Sequence, residues 1–150
     1  MKIAIAADHG GYEMKEHVKK IIEDLGISYE DLGTDSVESV DYPDYALPVA
    51  KKVVSGEVDK GILICGTGIG MSIAANKVAG IRAALVHDCY SARVTREHND
   101  SNILCMGGRI IGLNLAEEIV RIWLHGEFTG DRHLRRIEKV KEIENFSKDS

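Results

Sequence analysis

Cys65 is followed without interruption by Gly66, Thr67, Gly68, Ile69 and Gly70, a thiol set against a loop of alternating glycines. Glycines let the backbone turn tightly at a helix start, so several N–H groups can point at one anionic oxygen. The loop is therefore read as an oxyanion cradle. An ordinary strand-to-helix turn needs one or two glycines, and three alternating ones beside a cysteine favour function. Cys65 closes a predicted strand and abuts the positive end of the next predicted helix, a setting that draws a thiol pKa from about 8.5 toward neutrality. A thiolate there can act as base or nucleophile. Cys89 and Cys105 lack such a setting and are read as small buried hydrophobes.

The same loop rules out three phosphate signatures that it partly matches. A dinucleotide fingerprint needs glycine at position 71, where the chain has Met71. A nucleotide P-loop starting at Gly61 needs lysine after Gly66, and Thr67 stands there. A thiol phosphatase of the Cys-x5-Arg kind needs arginine, again where Met71 lies.

In open parallel sheets, ligands collect at the carboxyl ends of the strands. Those positions hold Asp8 and His9 after the first predicted strand, His87 and Asp88 after the fourth, and Gly107, Gly108 and Arg109 after the fifth. Arg132, His133, Arg135 and Arg136 open the last predicted helix, and a spacing of four puts Arg132 and Arg136 on one face. Two guanidinium forks suit a phosphate dianion, although from these residues alone a solvated charged face is the better reading. His98, followed by Asn99 and Asp100, is balanced between an exposed helix end and a functional group. No Cys or His pair has zinc-ligand spacing and no carboxylate cluster suggests magnesium, so no metal and no cofactor are expected.

The elements that must hold these groups follow from hydrophobic pattern. Residues 2–7 read as a strand buried on both faces. Met14, Val18, Ile21, Ile22 and Leu25 form the stripe of a helix stopped by Gly26, and residues 28–32 form a second strand. Residues 33–44 carry Gly33, Asp35, Ser36, Asp41 and Pro43 and read as a long loop. A helix over 45–55 accommodates Pro48 only if that residue lies in its first turn. Strands over 60–65, 81–86 and 102–106 then alternate with helices over 71–78, 90–98 and 113–124. The alternation predicts an α/β protein: a three-layer α/β/α, Rossmann-like fold around a five-stranded parallel sheet. A last helix over 131–146 has a thin apolar stripe and is expected to pack on a partner subunit, and 147–150 form a polar tail.

With 150 residues and 44% hydrophobic content the chain is one domain, residues 1–150, whose single core needs no staples. A net charge of -5 with interspersed signs argues against a nucleic-acid or anionic-membrane partner. The first apolar run stops at Asp8, too short for a secretory signal, and no stretch reaches the roughly 20 apolar residues of a membrane span. Three widely spaced cysteines suit a reducing, cytoplasmic setting.

The run 61–77, GILICGTGIGMSIAANK, together with Asp8-His9-Gly10, Asp41-Tyr42-Pro43, His98-Asn99-Asp100, Gly108-Arg109 and the arginines from Arg132 to Arg136, resembles the type B ribose-5-phosphate isomerases of the ribose/galactose isomerase family. The resemblance covers nearly the whole chain, with the motifs in the family's order. It implies an enzyme that interconverts ribose 5-phosphate and ribulose 5-phosphate through an enediolate. Cys65 would be the base and His98 the acid that opens the furanose ring, with Thr67 beside them in the catalytic set. Asp8, His9, Tyr42, Gly66, Thr67, Gly68, Ile69, Gly70, Asn99, Arg109, Arg132 and Arg136 would bind the sugar phosphate. One branch of the family replaces the cysteine by a glutamate at the position of Met71, and this chain resembles the cysteine branch. The family also implies dimers, sometimes paired into tetramers, with sites shared between subunits. The same scaffold supports hexose 6-phosphate isomerases acting on allose or galactose phosphates. A silent phosphosugar-binding regulator would lack the acid or the base, and both are present here.

Overall fold

The computed structural model describes the backbone of residues 1–149 and the side chains of residues 1–146. The chain alternates β1 (Lys2–Ala7), α1 (Tyr12–Asp24), β2 (Ser28–Asp31), α2 (Pro43–Ser55), β3 (Lys60–Cys65), α3 (Ile69–Ala75), β4 (Ala83–Leu85), α4 (Cys89–Asn99), β5 (Ile103–Gly107), α5 (Leu113–His125) and α6 (Arg132–Asp149). All strand pairs are parallel and the order across the sheet is β2-β1-β3-β5-β4. The expected three-layer α/β/α architecture is the one observed.

Strand periodicity sorts the core into two layers. Ile3, Ile5, Ile62, Ile64, Leu104 and Met106 face α1, α4 and α5, where Val18, Ile22, Ala92, Ile119 and Trp123 close the layer. Ala4, Ala6, Leu63, Cys65, Ile103 and Cys105 face α2 and α3. The small side chains on that second face let α2 settle close: a Cβ on Gly61 would lie 2.6 Å from Val49 Cγ1. Central strands buried on both faces explain the unbroken apolar runs in the sequence.

The sequence misplaces several boundaries. Helix α2 starts at Pro43, so Pro48 lies in its second turn rather than its first. The fixed φ of Pro43 suits a first helical position, and the partner that Pro48 cannot bond, the Asp44 carbonyl, belongs to an exposed residue. Helix α3 begins at Ile69, inside the glycine loop, because Gly68 takes a left-handed φ of 77° just before it. Strand β4 has three residues instead of six because it is a sheet edge with pairing on one side only. Helix α6 extends beyond residue 146 to Asp149. For the expected tail 147–150, the side chains and all of Ser150 lie outside the described residues.

The site is positioned by one topological feature. Strand β1 connects through α1 to β2 on one side of it, while β3 lies on its other side and leads into α3 on the opposite face. The loops after β1 and β3 therefore part company and leave a crevice at their carboxyl ends.

Candidate active site

Backbone contacts lock three loops around that crevice. Asp8, 7% exposed, accepts through Oδ1 from the amides of Gly10 at 2.9 Å and Gly11 at 3.2 Å. The Gly108 amide donates to the Cys65 carbonyl at 2.8 Å, and the Arg109 amide to the Gly66 carbonyl at 2.9 Å. Glycine makes such approaches possible without a shift: a Cβ on Gly10 would lie 3.0 Å from the Gly66 nitrogen, and one on Gly108 would lie 2.7 Å from the Gly10 carbonyl oxygen.

Cys65 sits at the centre of this knot, 5% exposed, with its Sγ accepting from the Gly68 amide at 3.1 Å. Thr67 Oγ1 accepts from the Ile69 amide at 3.3 Å and shapes the entry to α3. The Arg109 side chain lies against Gly66, and the Tyr42 ring lies against Gly70. His9 Nδ1 accepts from the Val40 amide at 3.2 Å, which ties the loop after β2 to the loop after β1. That bond leaves Nε2 to carry the proton on a neutral ring. Asp8, His9, Tyr42, Arg109 and the loop 65–70 are thus brought together at the carboxyl edge of the sheet.

His98, Asn99, Arg132 and Arg136 are not brought to Cys65. A helix in a parallel α/β fold runs back against its strands, so the last residues of α4 reach the amino edge, just before β5 begins at Ile103. Six-residue β3, at about 3.3 Å per residue, separates the two edges by about 17 Å. At the amino edge, Arg96 donates to Asp100 Oδ1 at 3.1 Å, and its guanidinium lies 6.0 Å from the Trp123 ring. Trp123, fully buried, donates to Ser101 Oγ at 2.9 Å. These contacts fix the end of α4. His98 there stacks on His133 of α6, with ring centroids 4.1 Å apart and planes 11° apart. Arg132 and Arg136 flank His133 and are exposed. The direction of α4 relative to the strands is the signal that places His98 at the far edge. His133 in its stacked role has no sequence signal, since it depends on how α6 crosses α4.

Other strand-end groups serve the fold. His87 accepts through Nε2 from the Gly107 amide at 3.0 Å, and its burial pushes its pKa down. Asp88 caps α4 by accepting from the Ser91 amide at 2.7 Å. Burial pushes the Cys105 thiol far up, which keeps it a neutral core group. His133 is held below the usual imidazole range, first by burial, then by His98, Arg132 and Arg136. A recess of about 290 Å³ opens beside Asn99, walled by Arg82, Thr95 and Ile137, all away from the cysteine loop.

The sequence model of the ribose/galactose isomerase family matches residues 3–140. The Bacillus subtilis protein YwlF, provisionally named a sugar phosphate isomerase, is 63% identical over 96% of this chain and 97% of its own. Ribose-5-phosphate isomerase B of Escherichia coli is 50% identical over 95% of this chain and 96% of its own. The structure of Clostridium thermocellum ribose-5-phosphate isomerase B superposes with a TM-score of 0.97 at 54% identity, covering 98% of this chain and 99% of that one.

Proposed function

The chain belongs to the ribose/galactose isomerase family, and from that premise we propose that it interconverts ribose 5-phosphate and ribulose 5-phosphate with Cys65 as the base. The observation that carries this reading is the Gly68 amide aimed at Cys65 Sγ inside a glycine loop at the crevice between β1 and β3. The bond fixes the sulfur beside the loop amides, where a base for the reacting carbons is needed. His98 protonates the ring oxygen of the furanose while the anomeric hydroxyl releases its proton to solvent, and the ring opens to the aldehyde. The Cys65 thiolate then takes the proton from C2 of the open aldose, and the enediolate oxygen is held by amides of Gly66, Thr67, Gly68, Ile69 and Gly70. The proton returns to C1 as the O2 proton passes to O1, which gives the ketose. Asp8 and His9 contact the sugar hydroxyls, Tyr42 walls the pocket, and Arg109, Arg132 and Arg136 anchor the phosphate, with Asn99 beside it. No step needs a nucleotide or a metal.

Because Cys65 and His98 lie at opposite edges of one chain, each site combines the carboxyl edge of one copy with the amino edge of another. A two-fold dimer makes two such sites by symmetry. Ile69, Ile73, Leu85 and Ile110, each between 40% and 57% exposed, stand around the cysteine loop and supply an apolar surface for the partner. Leu134, Val140 and Ile143 give α6 a matching one. We place the enzyme in the cytoplasm: its three cysteines are unpaired and no described helix is long and apolar enough to cross a membrane.

A side-by-side assay of ribose 5-phosphate, allose 6-phosphate and galactose 6-phosphate tests the substrate. Ribose 5-phosphate should have the highest kcat/KM, by about tenfold or more, since one extra carbon displaces either the phosphate or the reacting carbons. A higher kcat/KM for either hexose phosphate would overturn the assignment.

A further inference from the structure

The groups around His98 are unusual for an acid. Its ring is covered on one face by a second imidazole at 4.1 Å, nearly parallel to it. That second ring, His133, is 8% exposed. It is rooted by its amide, which donates to the Gly130 carbonyl at 3.0 Å, and Thr129 pins the same turn to the Glu97 carbonyl through its amide at 3.0 Å and its hydroxyl at 2.9 Å. The turn, α6 and the end of α4 thus form one unit, with the two rings as its contact.

We propose that His133 is a positioning residue: its ring, packed face to face on His98, fixes the plane of the His98 imidazole and with it the direction in which the ring nitrogens meet a substrate. The proposal rests on the reading of His98 as the ring-opening acid. Burial, then His98, Arg132 and Arg136, lower the His133 pKa against the opposing effect of Asp131. The Glu97 carboxylate, next to His98 in sequence, is engaged by Arg93 at 2.9 Å on the helix surface.

The experiment measures kcat and KM for ribose 5-phosphate in the wild type, His133→Leu and His133→Phe. Leucine removes the flat face, so kcat should fall about tenfold while KM stays within about twofold. Phenylalanine keeps a flat ring at the stack and should restore kcat. A leucine variant with wild-type kcat overturns the proposal, as does a phenylalanine variant no better than leucine. Should leucine prevent folding, His133→Gln offers the same comparison. The His98→Asn variant separates this proposal from the reading beneath it: if it keeps wild-type turnover on ribose 5-phosphate, the ring-opening role falls, and the plane of the His98 ring in a crystal structure of the leucine variant decides the stack.

Discussion

At the carboxyl edge, the groups assigned to the reacting carbons are held almost entirely by backbone. The Asp8 amide donates to the Ile64 carbonyl, the Gly108 amide to the Cys65 carbonyl and the Arg109 amide to the Gly66 carbonyl, and glycines at 10, 66 and 108 let the loops touch. At the amino edge, the assigned groups are side chains on helices: a stacked histidine pair and two exposed arginines. A base and an oxyanion site tolerate little misplacement, and backbone gives the stiffer mount. A phosphate anchor and a ring-opening acid work at longer reach, on side chains that can adjust to a second chain. Damage at the carboxyl edge should therefore appear in turnover, and damage to the arginines in binding.

The largest effect is expected from Cys65→Ala. Removing one sulfur from a strand end leaves the loops and arginines in place, so the variant should fold and bind the sugar phosphate, yet lose about 10³-fold or more in kcat. Circular dichroism, binding and steady-state rates check this, and a folded variant with near wild-type turnover would return Cys65 to the core.

A smaller loss should follow Gly10→Ala, which touches no reacting atom. Its Cβ would stand 3.0 Å from the Gly66 nitrogen and 3.1 Å from the Gly66 Cα, both backbone. The cysteine loop must shift by a few tenths of an ångström. Turnover should drop about 10- to 100-fold, with a stability loss of about 1–3 kcal/mol by denaturant titration. Unchanged turnover would mean that the interlocking loops do not set the geometry of the base.

The mildest effect on chemistry belongs to Arg132→Ala and Arg136→Ala. Each should raise KM for ribose 5-phosphate about tenfold and leave kcat within a few-fold. A variant with wild-type KM and reduced kcat would break the contrast between the two edges.

The same contrast marks what the sequence could reveal. Strands β1, β3 and β5 were legible because both their faces are buried and their residues run apolar without a break. The cysteine, its glycine loop, and Asp8 and His9 were legible because strand ends are where such folds place ligands. Helix α3 was misplaced because the glycines that signal a loop also let a helix begin at Ile69. The separation of His98 from Cys65 depends on the direction in which α4 runs, and the His98–His133 stack depends on the crossing of α4 and α6. Such pairings between elements leave no periodic trace in a chain.

The central claim is that one active site needs two chains. Cys65→Ala and His98→Asn chains carrying different tags can be co-expressed, and the mixed dimer isolated through both tags. Each dimer then holds one doubly damaged site and one intact site, with Cys65 from the His98→Asn chain and His98 from the Cys65→Ala chain. The account predicts about half the wild-type rate per dimer, far above either parent. A mixed dimer no faster than its parents would contradict it.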